Sequence, residues 1–424
     1  MKFSPYQKFV ILLLAFLQFT VILDFLVISP LGAVILPEMH ITTKQFGLLV
    51  SVYAFSASLS GLLTAGFADR FDRKQLLIFF YIGFILGTGL CGIANNYHFL
   101  LIARIVTGLF GGVIGSISMA IAADLFPLEV RGRVMGVVQT AFAASQVMGL
   151  PIGLYLSNLW GWHAPFLMIA GLGLLVGFVI VFGLRPINAH LELQHDRNAF
   201  QHLWKTITTP LYLRGFAATI LLAAGGFMLM PFGSAFTVNN LGISLKHLPT
   251  IYLVTGISSI LFGPLLGRLS DSAGKYRTFV GGTILGIIMV IIYTHLGTTP
   301  LWGVILVNIL LFLGISARMV STSALISAVP EPSDRGAFMS INSSVQQFAG
   351  GLASGLAGLV VVQTSSGKLE HYGLLGYTVA AAMLLTISLM YGVQKIANAR
   401  QTSKPSAAPK STPPAIANPE LAPE

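Results

Sequence analysis

Three ionisable side chains stand well inside long apolar runs of this chain: Asp24, Arg104 and Arg318. A charge embedded in hydrocarbon costs about 2.5–3.5 kcal/mol on insertion scales, so such residues persist where they do chemistry or hold a partner. Asp24 is the only acid well inside a run, since Asp124 stands at the end of one. Burial favours the neutral form of a carboxyl group, and a nearby guanidinium favours the carboxylate. A group balanced between the two can take up and release a proton as its surroundings change, which is the physical requirement for proton coupling. Two other readings fit the same residues: a structural ion pair that orders the runs carrying Asp24 and Arg104, or a site for a substrate's ammonium group. Arg318 also has two readings. Its guanidinium suits an anionic substrate group, or its long stem lets the charged head snorkel towards the cytoplasm.

Composition says what must hold these groups. The chain has 424 residues, 55% hydrophobic and 9% charged, with a mean hydropathy of +0.82. A soluble domain carries about 25% charged residues, so most of this chain must be solvated by lipid. A spanning helix needs about 20 predominantly apolar residues. The sequence predicts twelve, at roughly 9–31, 46–67, 76–94, 99–124, 134–156, 165–185, 212–236, 249–269, 279–296, 301–325, 337–362 and 374–396. With the N-terminus in the cytoplasm, only Lys44, Lys246 and Lys368 of the 24 Lys and Arg fall outside; apart from embedded Arg104 and Arg318, the rest fall inside, as the positive-inside rule requires. Trp160, Trp162 and Trp302 are then expected at the outer interface. No small-residue cleavage site follows the first run, which is read as a retained helix.

The net charge of +10 does not imply nucleic acid, because the basic residues cluster in loops on one side without a basic–aromatic surface. The single cysteine, Cys91, lies in an apolar run and excludes an intramolecular disulfide or a cysteine-rich metal site. Between Pro186 and Pro210 lies the longest internal polar stretch, with His190, Glu192, His195, Asp196, Arg197, His202 and Lys205. Its histidine spacing is irregular, so it reads as a solvated, partly helical linker rather than a metal site. The expected organisation is a first six-helix bundle over 1–185, a cytoplasmic linker over 186–210, a second bundle over 211–397 and a disordered cytoplasmic tail over 398–424.

The bundles are related by repetition. Gly61-Leu-Leu-Thr-Ala-Gly66-Phe-Ala-Asp69-Arg70-Phe-Asp72-Arg73-Lys74 returns in weaker form as Gly263-Pro-Leu-Leu-Gly267-Arg268-Leu-Ser-Asp271-Ser-Ala-Gly274-Lys275-Tyr-Arg277. Likewise Arg131-Gly132-Arg133-Val-Met135-Gly136 matches Arg335-Gly336-Ala337-Phe-Met339-Ser340. Parallel repeats of this kind build transporters around a site at their interface.

With these residues in hand, the chain from about Tyr6 to Ile396 resembles the major facilitator superfamily, most of all its twelve-span drug:proton antiporter and sugar-efflux branch. Gly61 to Lys74 resembles the signature loop between spans 2 and 3. Leu101-Ile-Ala-Arg104-Ile-Val-Thr-Gly108 resembles the arginine motif of span 4, and Leu23-Asp24 with Pro37 the acidic motif of span 1. Gly149-Leu-Pro151-Ile-Gly153, followed by Gly161-Trp162-His163-Ala-Pro-Phe166, resembles the antiporter motif of span 5 and its outer turn, with Ser145 at the leading glycine and His163 at the usual arginine. The resemblance implies an all-α membrane protein of twelve helices in two pseudo-symmetric bundles, working by alternating access. It implies proton coupling through Asp24 and Arg104. It also implies an inner gate of Asp69, Arg70, Arg73, Arg335 and Asp271, in which Asp69 caps span 11 and pairs with Arg335. Gly149, Pro151 and Gly153 are read as a packing hinge, with small residues letting span 5 approach a neighbour, expected to be span 8.

A substrate cavity is expected among Gln18, Tyr53, Gln139, Gln146, Phe227, Met230, Asn308, Arg318 and Asn342, with Met228, Phe232, Tyr252 and Gln346 as further candidates. Met and Phe suit lipophilic compounds, while Gln and Asn suit a polyhydroxylated solute. The leading expectation is proton-coupled efflux of a small organic molecule across a bacterial inner membrane, by a functional monomer with both termini cytoplasmic. The alternative is a sugar or metabolite permease acting as importer or uniporter. The partners expected are a small-molecule substrate, protons and the lipid bilayer, with no cofactor, no metal and no nucleic acid. No nucleophile motif argues for an enzyme, and no Gly-x-x-x-x-Gly-Lys-Ser/Thr sequence argues for an ATP-driven pump.

Overall fold

A computed structural model describes residues 3–65, 67–188, 191, 199–331 and 334–402. The first half is built from α1 (Pro5–Val27), α2 (Gly32–Glu38), α3 (Thr43–Ala65), α4 (Arg73–Gly92), α5 (Tyr97–Leu125), α6 (Leu128–Ala144), α7 (Leu150–Trp160) and α8 (His163–Gly183). A short helix α9 (Ala199–Thr208) leads to α10 (Pro210–Phe227), α11 (Gly233–Asn239), α12 (Leu248–Ala273), α13 (Lys275–His295), α14 (Leu301–Ser327), α15 (Arg335–Val360) and α16 (Tyr372–Thr402). A two-stranded antiparallel hairpin, β1 (Val362–Gln363) and β2 (Leu369–Glu370), joins α15 to α16.

Among the described residues, eleven helical segments are long and apolar enough to cross a membrane. The one expected span not among them, the eleventh at 337–362, is the 26-residue helix α15, whose Gly, Ser, Asn and Gln content makes it less apolar. Helix α16 runs to Thr402, into the stretch expected to be disordered from 398. His190, Glu192, His195, Asp196 and Arg197 of the expected linker lie outside the described residues.

Short polar devices set the helix ends. Asp72 caps α4, its carboxylate accepting from the N–H groups of Lys74 (2.8 Å) and Gln75 (3.1 Å). Asn96 caps α5 through the Phe99 N–H (3.0 Å). Gly161 and Gly274, at φ +83° and +97°, adopt the left-handed backbone that stops α7 and α12. Between helices the exposed surface is apolar, as lipid solvation requires; on α8, Phe182 is 73% exposed.

Two expected continuous spans are broken at equivalent places. The first stops at Val27 and resumes as α2, and the seventh stops at Phe227, passes through a 3-10 turn at Met230–Phe232 and resumes as α11. A broken helix inside a membrane must have its freed carbonyls satisfied by protein. Tyr372 donates to Leu229 O (3.1 Å) and Tyr293 to Gly233 O (3.1 Å). The segments after the two breaks meet: Ser234 Oγ donates to Ser29 O (3.0 Å) and accepts from the Ala33 N–H (3.3 Å).

The fifth span passes through a π-helical turn, Ser145–Gly149. Gly149 and Gly153 there face α1 rather than span 8: a Cβ on Gly149 would lie 2.6 Å from Leu23 Cδ1, and one on Gly153 3.3 Å from Val27 Cγ2. The close approach to span 8 is made from the other partner, because a Cβ on Gly256 of α12 would lie 3.0 Å from the Val147 Cα. Pro151 stands just past the π turn inside a helical run unbroken from Val130 to Trp160, where its missing N–H removes one backbone bond from the ladder.

The two halves share a long seam between α3 and α15. Thr43 Oγ1 donates to Val361 O (2.6 Å), and two turns short of the other end Ser58 Oγ donates to Ser344 O (2.8 Å). Small residues bring the backbones together, as is usual between helices in lipid. A Cβ on Gly47 would lie 2.9 Å from both Gly358 Cα and Ser354 O. Overfilling such a contact costs about 1–3 kcal/mol. Gly47→Leu is therefore expected to prise apart the end of the seam that carries Lys44. Spin labels at Lys44 and Val362 should report a longer mean separation than in the parent, while Gly281→Leu, which meets open space, should leave it unchanged.

Candidate functional site

Four helices converge on one buried ion pair. Asp24 of α1 and Arg104 of α5 face each other with Nη1 to Oδ2 at 2.9 Å, and both side chains are 0% exposed. Arg104 Nη1 also lies 3.5 Å from the Asp24 carbonyl oxygen. From α4, Thr88 donates its hydroxyl to Asp24 Oδ1 (3.1 Å), so both carboxylate oxygens are engaged. From α3, the Tyr53 ring lies under the guanidinium, 4.4 Å from Cζ to the ring centroid, within the range of a cation–π contact. Arg104 Nε and Nη2 are enclosed without a hydrogen-bond acceptor.

Glycine builds the enclosure. A Cβ on Gly108 would lie 2.4 Å from Tyr53 O, so only glycine lets α3 and α5 close beside Arg104. A Cβ on Gly87 would lie 2.7 Å from Thr107 Oγ1, bringing α4 against α5 on the other side. Thr107 returns its hydroxyl to Ala103 O (2.7 Å), with Cys91 Sγ 3.8 Å away. The second half repeats the helices but not the charges: the uncharged stretch 225–228 stands where Asp24 stands in the first, and Asn308 where Arg104 stands. Asn308 spends its amide on Val304 O of its own helix (2.9 Å).

Next to the pair an aromatic chain crosses between halves. Phe25 packs on Tyr53 (centroids 5.4 Å) and on Phe227 of α10 (5.8 Å). Ser354 of α15 donates to the Phe227 carbonyl (3.1 Å). Phe25 and Thr88 escaped the sequence reading; the only signal was adjacency, since Phe25 follows Asp24 and Thr88 is a polar residue deep in span 3. Of the other cavity candidates, Gln18 is buried beside Gly115 of α5. Asn342 accepts from the Thr219 hydroxyl (2.6 Å), joining α15 to α10. Gln146 and Met230 are half-buried at the two helix irregularities, and Gln139 is exposed on α6. Arg318 is 5% exposed, with the Phe279 ring 5.8 Å from its guanidinium carbon, so it does not snorkel.

The charged loops resolve into separate contacts. Arg73, expected at a gate between the halves, is buried in its own half, with Nε 3.1 Å from Asp124 Oδ2 and Nη1 donating to Ala68 O (3.2 Å). Asp72, which drew no attention in sequence, accepts from the Ile187 N–H (2.9 Å) besides capping α4. Arg70, Arg335 and Asp271 are exposed. The Asp69 side chain, and with it the Asp69–Arg335 pairing, lies outside the described residues. Asp334, next to Arg335, accepts from the Tyr212 hydroxyl (2.8 Å). Trp160 and Trp302 are each 71% exposed, but Trp162 is buried at 2% because it stacks on His163, whose Nε2 lies 3.0 Å from Ala94 O.

Removing one partner of a buried ion pair leaves an uncompensated charge and costs about 3–5 kcal/mol, whereas removing both is far milder. Asp24→Asn and Arg104→Gln should each lower the thermal unfolding midpoint of the detergent-solubilised protein markedly. The double variant should recover most of the loss, a coupling that a double-mutant cycle measures.

The family model described as Major Facilitator Superfamily matches residues 14–354 and again 216–420. Two relatives from Bacillus subtilis (strain 168), both described as uncharacterized MFS-type transporters, span nearly the whole chain. YceJ is 25% identical over 394 residues, covering 91% of this chain and 97% of its own. YbcL is 27% identical over 383 residues, covering 89% and 95%. Among solved structures, a mutant form of the nucleoside transporter NupG shares the fold at TM-score 0.72 and 14% identity, over 92% of this chain and 99% of that one. A bacterial homolog of the human lysosomal transporter Spinster, inward-facing and unoccupied, does so at TM-score 0.66 and 17% identity, over 94% and 96%. The chain belongs to the Major Facilitator Superfamily and is a multi-pass membrane protein, a secondary transporter of small molecules.

Proposed function

We propose that this transporter exports a small organic molecule in exchange for protons, with Asp24 as the proton carrier and Arg104 as its charge partner. The observation that carries the reading is the sealed Asp24–Arg104 pair at the junction of α1, α3, α4 and α5. Protonating Asp24 removes the attraction to Arg104, and the Tyr53 ring still offers the guanidinium a resting place. A protonation event is thereby converted into a rearrangement among the helices that line the centre of the bundle. The motifs of spans 1, 4 and 5 favour efflux. The distribution of Lys and Arg favours both termini in the cytoplasm of a bacterial inner membrane. Residues 1–185 and 211–397 act as the two moving bundles, joined by 186–210, and the transporter works as a monomer.

Asp69, Arg70, Arg335 and Asp271 form the inner gate in this reading, holding the bundles together on the cytoplasmic side. Asp69→Asn should then widen the mean distance between spin labels placed on the cytoplasmic ends of α3 and α15; an unchanged distribution would leave those charges with only a topological role.

Coupling is tested in everted vesicles energised by respiration and monitored with a pH-sensitive dye. Adding an exported compound, found by screening lipophilic dyes, sugars and amino acids, should release protons through the parent protein. Asp24→Asn, at equal expression, should release none while still exchanging the compound down its gradient. Uphill transport by Asp24→Asn at the parent rate would remove Asp24 from the proton path.

A further inference from the structure

The second half holds one embedded cation, and its surroundings are unlike those of Arg104. Arg318 is only 5% exposed, yet its Nε and Nη2 have no acceptor. One turn further along the same face of α14, the hydroxyls of Ser321 and Thr322 are also enclosed without a partner. Among the described residues of the second half, these four atoms are all of the buried side-chain polar atoms left unsatisfied.

Many buried hydroxyls in these helices return to the carbonyl four residues back, the usual solution for Ser and Thr in lipid, and others bond across to a neighbouring segment, as Thr219, Ser234 and Ser354 do. Thr255 bonds Ile251 O (2.7 Å), Thr283 bonds Phe279 O (2.7 Å) and Thr386 bonds Ala382 O (2.6 Å). Ser321 and Thr322 depart from that habit on the same face as an uncompensated guanidinium. The three side chains offer donors and one positive charge, with the Phe279 ring alongside. The backbones of α13 and α14 are in contact here, since a Cβ on Gly282 would lie 2.6 Å from Ala317 Cβ and 3.3 Å from the Arg318 nitrogen.

We propose that Arg318, Ser321 and Thr322 bind the carboxylate of an organic acid with an apolar body, the anionic end of the transported molecule. The class follows from the donors. A guanidinium matches the two oxygens of a carboxylate in a planar, bidentate arrangement, and two hydroxyls complete its shell. A single fixed cation balances a single negative charge, and the adjacent ring suits an apolar or aromatic body. The assignment rests on the reading of the chain as a carrier of small organic cargo but not on proton coupling.

Binding of radiolabelled benzoate to the purified full-length protein, at neutral pH and without a gradient, tests it. Saturable binding is expected, weakened on the order of 100-fold in Arg318→Gln and about 10-fold in Arg318→Lys, which keeps the charge but loses the fork. Ser321→Ala/Thr322→Val, which keeps the cation and the fold even if Arg318→Gln does not assemble, should also weaken binding by about 10-fold. Uncharged benzamide should not compete. Equal dissociation constants for parent and variants, competition by benzamide, or displacement by chloride at equal concentration would each overturn the proposal. Binding is read without a gradient and with Asp24 intact throughout, so loss of benzoate binding in the α14 variants and loss of proton release in Asp24→Asn are separate results, and the failure of this site and the failure of proton coupling are told apart.

Discussion

A guanidinium and a carboxylate held 2.9 Å apart with no exposure to solvent set the terms for the first half of this protein. Neither charge is tolerable there alone. The pair therefore requires α1 and α5 to stay adjacent, α4 to deliver a hydroxyl and α3 to lay an aromatic ring beneath. Gly87 and Gly108 exist at their positions because any side chain would hold those helices too far apart to seal the pair. The helix arrangement is in this sense a consequence of where the charges sit. The second half, with Asn308 and the uncharged stretch 225–228, is free of the same obligation and spends its single embedded cation elsewhere.

Packing in lipid gains nothing from hiding apolar surface, so the joints between helices rely on contact and on hydrogen bonds. That explains why the seam between the halves is rich in Gly and Ser on α3 and α15, and why the hydroxyls of Thr43 and Ser58 bridge it. It also explains the tyrosines around the broken seventh span. Tyr293 gives the Gly233 carbonyl, and Tyr372 the Leu229 carbonyl, a side-chain donor beside the interruption.

Charges are legible in the sequence because apolar runs make each one conspicuous; Asp24 and Arg104 can be named from sequence, and the structure brings them together. Thr88 and Phe25 cannot be named, since a threonine or phenylalanine in a span is ordinary until its neighbour is known. Glycines announce a close approach but not its partner, which is why Gly149 reads as a contact for span 8 and lies on Leu23. Residue type alone places Trp162 at the lipid interface, although stacking on His163 buries it. The interruptions in the first and seventh spans leave no mark in hydropathy, because the residues on both sides remain apolar. Arg73 belongs to a loop motif whose charges look interchangeable in sequence, and only geometry separates its bond to Asp124 from contacts between the halves.

The meeting of α2 with α11 through the single hydroxyl of Ser234 has an energetic consequence. Each hydrogen bond of this kind contributes a net of about 0.5–1.5 kcal/mol, and Thr43 to Val361 adds one more of the same size. Shifting a two-state population from one part in a hundred to ninety-nine requires about 5.5 kcal/mol of differential affinity. The few neutral bonds of this joint together fall below that sum. Its hydrogen-bonded part is thus a spring catch rather than a bolt, and breaking it demands less than a full change of population supplies.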